Sequence, residues 1–159
     1  MPIAKSELRR VMGHFATGVT VITTREANGA PTGFTANAVT SVSLDPPLIL
    51  ICVDKTADSY PAFQESGVFV VNVLAEEQED VSRRFATKGK GKFDGVGYRL
   101  DESGCAVLEN SIAHVECRIV QTHDAGDHTI YVAEVESGDA RELPPLLFYR
   151  GGYRKIAAA

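Results

Sequence analysis

The residues of this sequence with the clearest binding chemistry are short hydroxyl and amide side chains between two apolar segments. The stretch 33–54 is polar in its first half and strongly apolar in its second, and the polar half contains Thr35, Asn37, Thr40 and Ser41. Such side chains can hydrogen-bond a flat heteroaromatic ring or a phosphate. From spacing alone, a polar sheet edge followed by a turn is the simpler interpretation. The stretch has no acid–base pair, so it indicates binding more than catalysis.

A second candidate is the segment 87–97, TKGKGKFDGVG, which contains four glycines and three lysines. This composition predicts a mobile surface loop whose cations are either solvated or directed at an anionic ligand. Asp94 stands where the third glycine of a dinucleotide fingerprint would be. No predicted strand leads into the segment, so a Rossmann assignment is rejected.

Metal and thiol chemistry find little support. His123 and His128 flank a turn rich in aspartate, but their spacing matches no standard ligand pattern, so we predict no metal site. Cys52, Cys105 and Cys117 are an odd number at spacings unlike a zinc site or a disulfide framework. We interpret them as reduced thiols, with Cys52 a small core residue that has no base beside it.

Composition narrows the class of protein. The chain has 159 residues, 44% hydrophobic and 23% charged, which predicts one globular domain over residues 1–159. The net charge of −5 argues against a nucleic-acid partner. No signal-like or membrane-spanning apolar run is visible, so we expect a cytoplasmic protein without a membrane partner.

The pattern of elements predicts a mainly β fold. Strands are expected at 19–24, 48–53 (buried on both faces), 68–74, 107–123, 129–136 and 146–149, with hairpin turns at Asn28-Gly29 and at 124–127. Helices are expected from Ser6 towards Gly18, from Asp58 or Ser59 to Gly67, and over 76–85. Hairpin connections with few helices indicate an antiparallel, barrel-like β domain with peripheral helices.

Five sequence blocks then point to a family. In chain order they are TGVTVITT, GFTANAVTSVSLDPPLILICVDK, SGVFVVNVL, GDHTIYVAEV and LLFYRGGY. Together they resemble the short-chain flavin reductases of the flavin reductase-like family, which include the reductase partners of two-component flavin monooxygenases. The resemblance covers almost the whole chain.

The resemblance implies a split antiparallel β-barrel that binds FMN or FAD, usually as a homodimer with flavin sites near the subunit interface. Family members reduce the flavin with NADH or NADPH by direct hydride transfer, and many release it to a separate oxygenase. Two alternatives stay open: a flavin-binding protein without reductase activity, and a flavoenzyme that retains its flavin to reduce another acceptor. The sequence leaves FMN against FAD, and NADH against NADPH, undecided.

The resemblance also implies site residues. Those expected at the isoalloxazine and ribityl region are Thr35, Ala36, Asn37 and Ser41, with the wall continued through backbone contacts by Cys52, Val53, Asp54 and Lys55. Ser59 is expected near the flavin phosphate, Phe85 and Lys92 on the far side, and His128 and Tyr153 on the nicotinamide side, with His128 as the catalytic candidate. Asp58 departs from the small hydroxyl residue that relatives often carry, and its carboxylate would repel a phosphate unless it turns outward.

Overall fold

Twelve strands and three short α-helices make up the computed structural model, which describes residues 1–157. The helices are α1 (Lys5–Met12), α2 (Tyr60–Ser66) and α3 (Glu79–Phe85), the last preceded by a 3₁₀ turn at Glu76–Gln78. The strands are β1 (Thr17–Gly18), β2 (Thr20–Arg25), β3 (Pro31–Ala36), β4 (Val39–Leu44), β5 (Pro47–Asp54), β6 (Val68–Val73), β7 (Tyr98–Leu100), β8 (Ala106–Leu108), β9 (Ala113–Ala125), β10 (His128–Ala140), β11 (Leu147–Tyr149) and β12 (Gly152–Arg154). The predicted mainly β, antiparallel fold is confirmed.

Seven strands form one antiparallel sheet in the order β3-β2-β6-β9-β10-β5-β4. Its two edge strands, β3 and β4, are neighbours in sequence and are separated only by Asn37 and Ala38. Seven strands laid flat would place the edges about 29 Å apart, whereas three residue steps span at most about 10 Å. The sheet must therefore curl until its edges approach each other at residues 36–39.

Two smaller sheets complete the β structure. β1, β11 and β12 form a three-stranded sheet in the order β1-β11-β12, and β7 pairs with β8. The β9–β10 hairpin is the longest pairing, with thirteen residues in each strand and a turn at Gly126 and Asp127. Because β11 pairs with β1, the three-stranded sheet places the C-terminal segment beside the N-terminal one.

Two apolar clusters hold the sheet. One lies around Phe63 on α2, which stacks near Tyr131 with ring centroids 6.2 Å apart. The other contains Leu74 and Phe85 and packs α3 against the sheet. Apolar burial on this scale is the main favourable contribution to folding.

Asn72 is a polar residue inside this apolar framework. Its side chain is 0% exposed, yet its Nδ2 donates to Val21 O at 3.1 Å and its Oδ1 accepts from Leu108 N at 2.8 Å. Satisfied in this way, a buried amide specifies one arrangement of neighbouring strands. Asn72 therefore fixes β8 against β6 and β2.

Several predicted boundaries were wrong for local reasons. α1 is preceded by Ala4 at its N-cap and ends at Met12 with Gly13 at its C-cap, so neither Ser6 nor Gly18 terminates it. The predicted strand 107–123 is two strands, because a turn containing Asn110 at φ 66° interrupts it. Gly67 does end α2, with φ 71° in the left-handed region that glycine tolerates.

The predicted burial of the apolar segment 48–53 was also wrong. We predicted burial on both faces, but only Ile51 and Val53 are fully buried, while Leu48 to Leu50 and Cys52 remain partly exposed. β5 is the second strand from the sheet edge, next to the edge strand β4, so it lies away from the centre of the sheet. The described helices, all within residues 1–157, include none of the length and apolarity that a membrane crossing requires.

Candidate functional site

The polar stretch singled out in the sequence lies where the two edges of the curled sheet meet. Ladder pairing ends at Ala36, opposite Thr20, and resumes at Val39, opposite Ile51. A cleft of about 200 Å³ opens there, lined by Val19, Thr35, Ala36, Asn37, Ser82, Ala86, Phe148 and Tyr153. Its mixture of apolar surface and a few polar groups is typical of a site for a flat ring.

Short hydrogen bonds fix the cleft. Thr35 Oγ1 donates to Ser82 O at 2.6 Å, and Ser82 Oγ lies 2.6 Å from Tyr153 Oη. Three separate elements, β3, α3 and β12, are therefore joined through the fully buried Ser82. Fully satisfied polar contacts of this kind hold a site in one geometry.

Aromatic contacts fix the Tyr153 ring further. It meets Phe148 edge to face, with centroids 5.5 Å apart, and the Arg83 guanidinium lies 4.8 Å from its centroid. Both arrangements are favourable for an aromatic ring. Tyr153 was predicted on the nicotinamide side, and the structure places it in the same cleft as Thr35 and Asn37.

A larger groove of about 620 Å³ lies at the beginning of β3. It is lined by Glu26, Pro31, Thr32, Gly33, Asp58, Gly89, Lys90, Gly91, Lys92, Phe93 and Asp94. The Lys92 ammonium lies 3.5 Å from Gly33 O, and burial lowers the pKa of this lysine. The glycine- and lysine-rich loop therefore faces a cavity, which it must do if its lysines bind an anionic ligand.

Gly33 lets the backbone of β3 lie close to the backbone of β2. A Cβ at this position would lie 2.6 Å from Ile22 O, a distance that side chains do not tolerate. The missing side chain lets β3 lie flat against β2 and leaves the groove wall clear. Gly33 thus shapes the groove without contributing a functional group.

The segment that follows β5 borders the same groove. Asp58 Oδ2 accepts a hydrogen bond from Gly89 N at 2.8 Å, and Lys88 Nζ donates to Thr56 O at 3.1 Å. Ser59 Oγ is buried and has no hydrogen-bond partner within residues 1–157. A buried hydroxyl without a partner is costly unless a ligand satisfies it.

His128 lies at the corner where β10 begins, opposite Asp54 in the strand register. Its side chain is 40% exposed, and its Nδ1 lies 2.8 Å from Asp127 Oδ1. The hydrogen bond from His128 lowers the pKa of Asp127, and the backbone and hydroxyl of Thr56 lower the pKa of Asp54. The histidine therefore faces two groups that remain carboxylates near neutral pH.

Lys55 is occupied by protein groups. Its Nζ forms an ion pair with Asp124 and donates to Gly126 O at 2.8 Å. Most of the charge of this ammonium is therefore balanced within the protein. Its clearest contact is with the β9–β10 turn.

Three predicted residues present little side chain to a ligand. Phe85 is 1% exposed and packs edge to face on Phe93 within the second core cluster, which corrects the expectation that its ring closes the site. Val53 is fully buried, so only its backbone could meet a ligand, as the expected wall of backbone contacts requires. Cys52 is half-buried, its N–H donates to Ala38 O at 3.2 Å, and burial raises the pKa of its thiol.

Ser41 is exposed on the edge strand β4, beside a break in register between Ser41 and Ser43. The structure therefore brings Thr35, Ala36, Asn37 and Tyr153 into one cleft and Lys92 into the groove, while Ser59 is buried directly after the groove residue Asp58. His128 and Lys55 lie at a separate corner. That corner is joined to the groove through residues 54–58.

Sequence reasoning missed Ser82, Phe148 and Arg83. Ser82 carried a weak signal, since it is a small polar residue one turn before the apolar Phe85 on a predicted helix. Phe148 and Arg83 carried none, because their roles depend on the Tyr153 ring that the terminal sheet brings to them. Contacts between elements distant in sequence are not visible in local spacing.

The donors and cavities fit an aromatic nucleotide. The cleft offers a rigid, mainly apolar slot, while the groove supplies Lys90 and Lys92 for an anionic tail. No cluster of three or more potential metal ligands occurs in the part of the chain that the structure describes. These features define a mainly antiparallel β protein of the nucleotide-binding class.

Comparison with known proteins names the family within that class. The model of the flavin reductase like domain matches residues 12–157, so the chain belongs to the flavin reductase-like family. The resemblance read from the five sequence blocks is confirmed.

Similar proteins include the reductase subunit HsaB of a flavin-dependent monooxygenase from Rhodococcus jostii. It is 44% identical over 93% of this chain and 76% of its own length. The FMN reductase (NADH) SmoA from Agrobacterium fabrum is 40% identical over 94% of this chain and 84% of its own length.

Among solved structures, the NADH:FAD oxidoreductase SgcE6 of Streptomyces globisporus, in complex with NAD and FAD fragments, superposes with a TM-score of 0.91. It is 41% identical and the match covers 96% of this chain and 93% of that one. SmoA and SgcE6 are named for different flavins. Family membership therefore does not decide whether this chain uses FMN or FAD, and that choice must depend on its own residues.

Proposed function

We propose that this protein is an NAD(P)H-dependent flavin reductase that reduces FMN or FAD by hydride transfer and supplies the reduced flavin to a separate monooxygenase. One observation carries the proposal: in this flavin reductase-like chain, β3 lines both a rigid, ring-sized cleft and a groove that contains lysines. Relatives named as monooxygenase reductase subunits support the final step.

The cleft residues would hold the flavin ring. Thr35, Ala36 and Asn37 form its wall, and the Thr35–Ser82–Tyr153 hydrogen bonds keep that wall from moving. When bound, the flavin supplies an acceptor for two electrons and a proton equivalent, so the protein needs positioning more than acid–base chemistry. Backbone groups of Asn37 and the N–H of Ala38, which lie between the two ladders, would supply hydrogen bonds to the ring.

The groove residues would hold the phosphate end. Ser59 Oγ is a buried hydroxyl without a partner within the described residues, and Lys92 is the half-buried ammonium beside β3. Cys52 to Lys55 would continue the wall through backbone groups, with Ser41 near its outer rim. Phe85 would act from behind, through its packing on Phe93 in the groove lining.

His128 would orient the nicotinamide amide or ribose at the open corner. Its ring is held by a hydrogen bond between Nδ1 and Asp127 Oδ1, and the residue sits opposite Asp54 in the strand register. Tyr153 lines the flavin cleft itself, so its ring would lie where the flavin and the nicotinamide rings meet. Hydride transfer needs no obligatory proton donor from either residue.

The larger organisation is part of the same proposal. We propose a split barrel in one domain over residues 1–159, assembled as a homodimer and working in the cytoplasm. The sheet whose edges meet at 36–39 supports the barrel, and the free thiols of Cys52, Cys105 and Cys117 suit a reducing compartment.

The test is an activity assay across four cofactor combinations. Purified protein is mixed with NADH or NADPH and an excess of FMN or FAD, and loss of the reduced nicotinamide absorbance is followed. Oxidation in at least one combination is expected, and no oxidation in any of them would overturn the reductase proposal in favour of a binding protein. Heat-denatured protein serves as the blank.

Gel filtration separates the modes of flavin use. Colourless protein after the column is expected, because a reductase that supplies a partner treats flavin as a diffusible substrate. A yellow peak that keeps its flavin would instead support an enzyme that reduces another acceptor. The elution volume of the same run tests the homodimer.

A further inference from the structure

Asp58 is a carboxylate of the groove lining that accepts a hydrogen bond from a backbone amide of the glycine loop. Its Oδ2 accepts from Gly89 N at 2.8 Å, inside the segment whose backbone N–H groups suit an anion. We propose that Asp58 makes the groove select against a terminal phosphomonoester, so that this protein prefers the dinucleotide FAD over FMN. This inference rests on the proposed function and names the substrate of the same site.

The charge of the groove supports the selection. Its lining carries three carboxylates, Glu26, Asp58 and Asp94, against two ammonium groups, Lys90 and Lys92. The neighbouring Lys88 donates its ammonium to Thr56 O at 3.1 Å. A groove suited to a dianion would hold an excess of cations, and this one has a formal excess of one negative charge.

A buried hydroxyl lies next to this groove in the chain. Ser59, the residue after Asp58, is 2% exposed, and its Oγ has no partner within residues 1–157. A phosphate oxygen would satisfy this hydroxyl in either flavin. The discrimination therefore comes from the charge on the phosphate that arrives beside Asp58.

The two flavins differ in that charge. A terminal phosphomonoester such as that of FMN concentrates about −1.5 to −2 on one phosphate at neutral pH, with a second pKa of about 6. FAD spreads its negative charge over two linked phosphates, so the one beside Asp58 carries a single charge and the other lies further from the carboxylate. Repulsion from a fixed carboxylate grows with the charge it meets, and in a solvated groove each extra charge changes affinity by about threefold. Asp58 thus penalises FMN more than FAD.

The test measures dissociation constants by quenching of flavin fluorescence, with FMN, FAD and the uncharged riboflavin as ligands. The wild type is expected to bind FAD more tightly than FMN. Asp58→Asn keeps an oxygen acceptor for Gly89 N–H and removes the charge, so FMN should tighten about tenfold, FAD about threefold and riboflavin not at all. Asp58→Ser should shift FMN in the same direction.

Glu65→Gln is the matched control. Glu65 is exposed on α2, a few residues beyond Asp58 and outside the groove lining, so the same loss of one charge should leave all three affinities unchanged. Equal shifts for FMN, FAD and riboflavin in Asp58→Asn, no shift, or a wild type that prefers FMN would overturn the role of Asp58. A wild type that binds no flavin and oxidises no nicotinamide would overturn the proposed function instead.

Discussion

The cleft at Thr35 and the corner at His128 are built in different ways. Ser82, fully buried, joins three elements in the cleft through contacts of 2.6 Å, whereas His128 is 40% exposed and is held by its sequence neighbour Asp127. A ring that must be stacked in one orientation needs walls that do not move, while a second substrate that enters and leaves needs an open side. We therefore expect mutations in the cleft to cost more activity than mutations at the corner.

The largest effect is expected for Tyr153→Ala. It removes the contact with Ser82, the edge-to-face pair with Phe148 and the Arg83 interaction, together worth about 2–3 kcal/mol, or about 30- to 150-fold in kcat/KM. Steady-state kinetics with a saturating nicotinamide measure it. Tyr149→Ala, on the same small sheet but outside the cleft lining, should retain most activity. Equal losses in the two variants would mean that the terminal sheet, and not the cleft, was damaged.

Thr35→Val should give the next largest effect. The substitution keeps the shape but removes the 2.6 Å hydrogen bond to Ser82 O, which costs about 1 kcal/mol, or about fivefold in flavin affinity. Fluorescence titration with flavin measures the dissociation constant. The control is Thr40→Val, whose hydroxyl is exposed and contacts only Ser41 O, the carbonyl of the next residue. An unchanged affinity in Thr35→Val would show that the cleft is less rigid than its contacts indicate.

A smaller effect is expected for His128→Ala. It should raise the Michaelis constant for the nicotinamide and slow hydride transfer about three- to fivefold, because one exposed hydrogen-bonding group is lost. Flavin affinity should not change. His123→Ala, on the same hairpin with its ring beside Gln121, is the control and should behave as wild type. A loss larger than that of Tyr153→Ala would reverse the comparison, and unchanged kinetics would remove His128 from the site.

The smallest effect concerns acid stability at the corner. Hydrogen bonds from Thr56 lower the folded-state pKa of Asp54 below its unfolded value, so its stabilising contribution is present above the unfolded pKa and is lost as pH falls through the folded pKa. Asp54→Asn lacks this contribution at every pH. Thermal melting should therefore show a small deficit for the variant at neutral pH that disappears in acid. A deficit that persists in acid would assign Asp54 a role other than its charge.

The elements could be predicted from sequence wherever one local pattern dominated. Gly67 ended α2 as expected, and the Gly126-Asp127 turn joined two long strands, because glycine conformations and alternating apolar residues act over a few positions. The boundaries of α1 and of the strand predicted at 107–123 failed, because capping and a turn at Asn110 are decided by one or two residues among several equivalent ones.

Recognition of the five sequence blocks predicted the family, and residues 12–157 match its model. The blocks also indicated Thr35 to Asn37, which the structure places in a cleft. They could not indicate Ser82, because its partners lie 47 and 71 positions away in the chain. The exposure of His128 and the ion pair of Lys55 were equally hidden, since both depend on how the β9–β10 hairpin meets β5.

The sequence by itself determined a mainly β chain of the flavin reductase-like family with a polar stretch at 33–41 and a cationic glycine loop at 87–97. Only the tertiary structure decided that Gly33 and the glycine loop line one groove, that Phe85 packs behind that groove in the core, and that Asp58 accepts a hydrogen bond from the loop at Gly89. The physical reason is that composition and spacing act within a few residues. A binding cavity forms instead where a curled sheet brings its distant edges together.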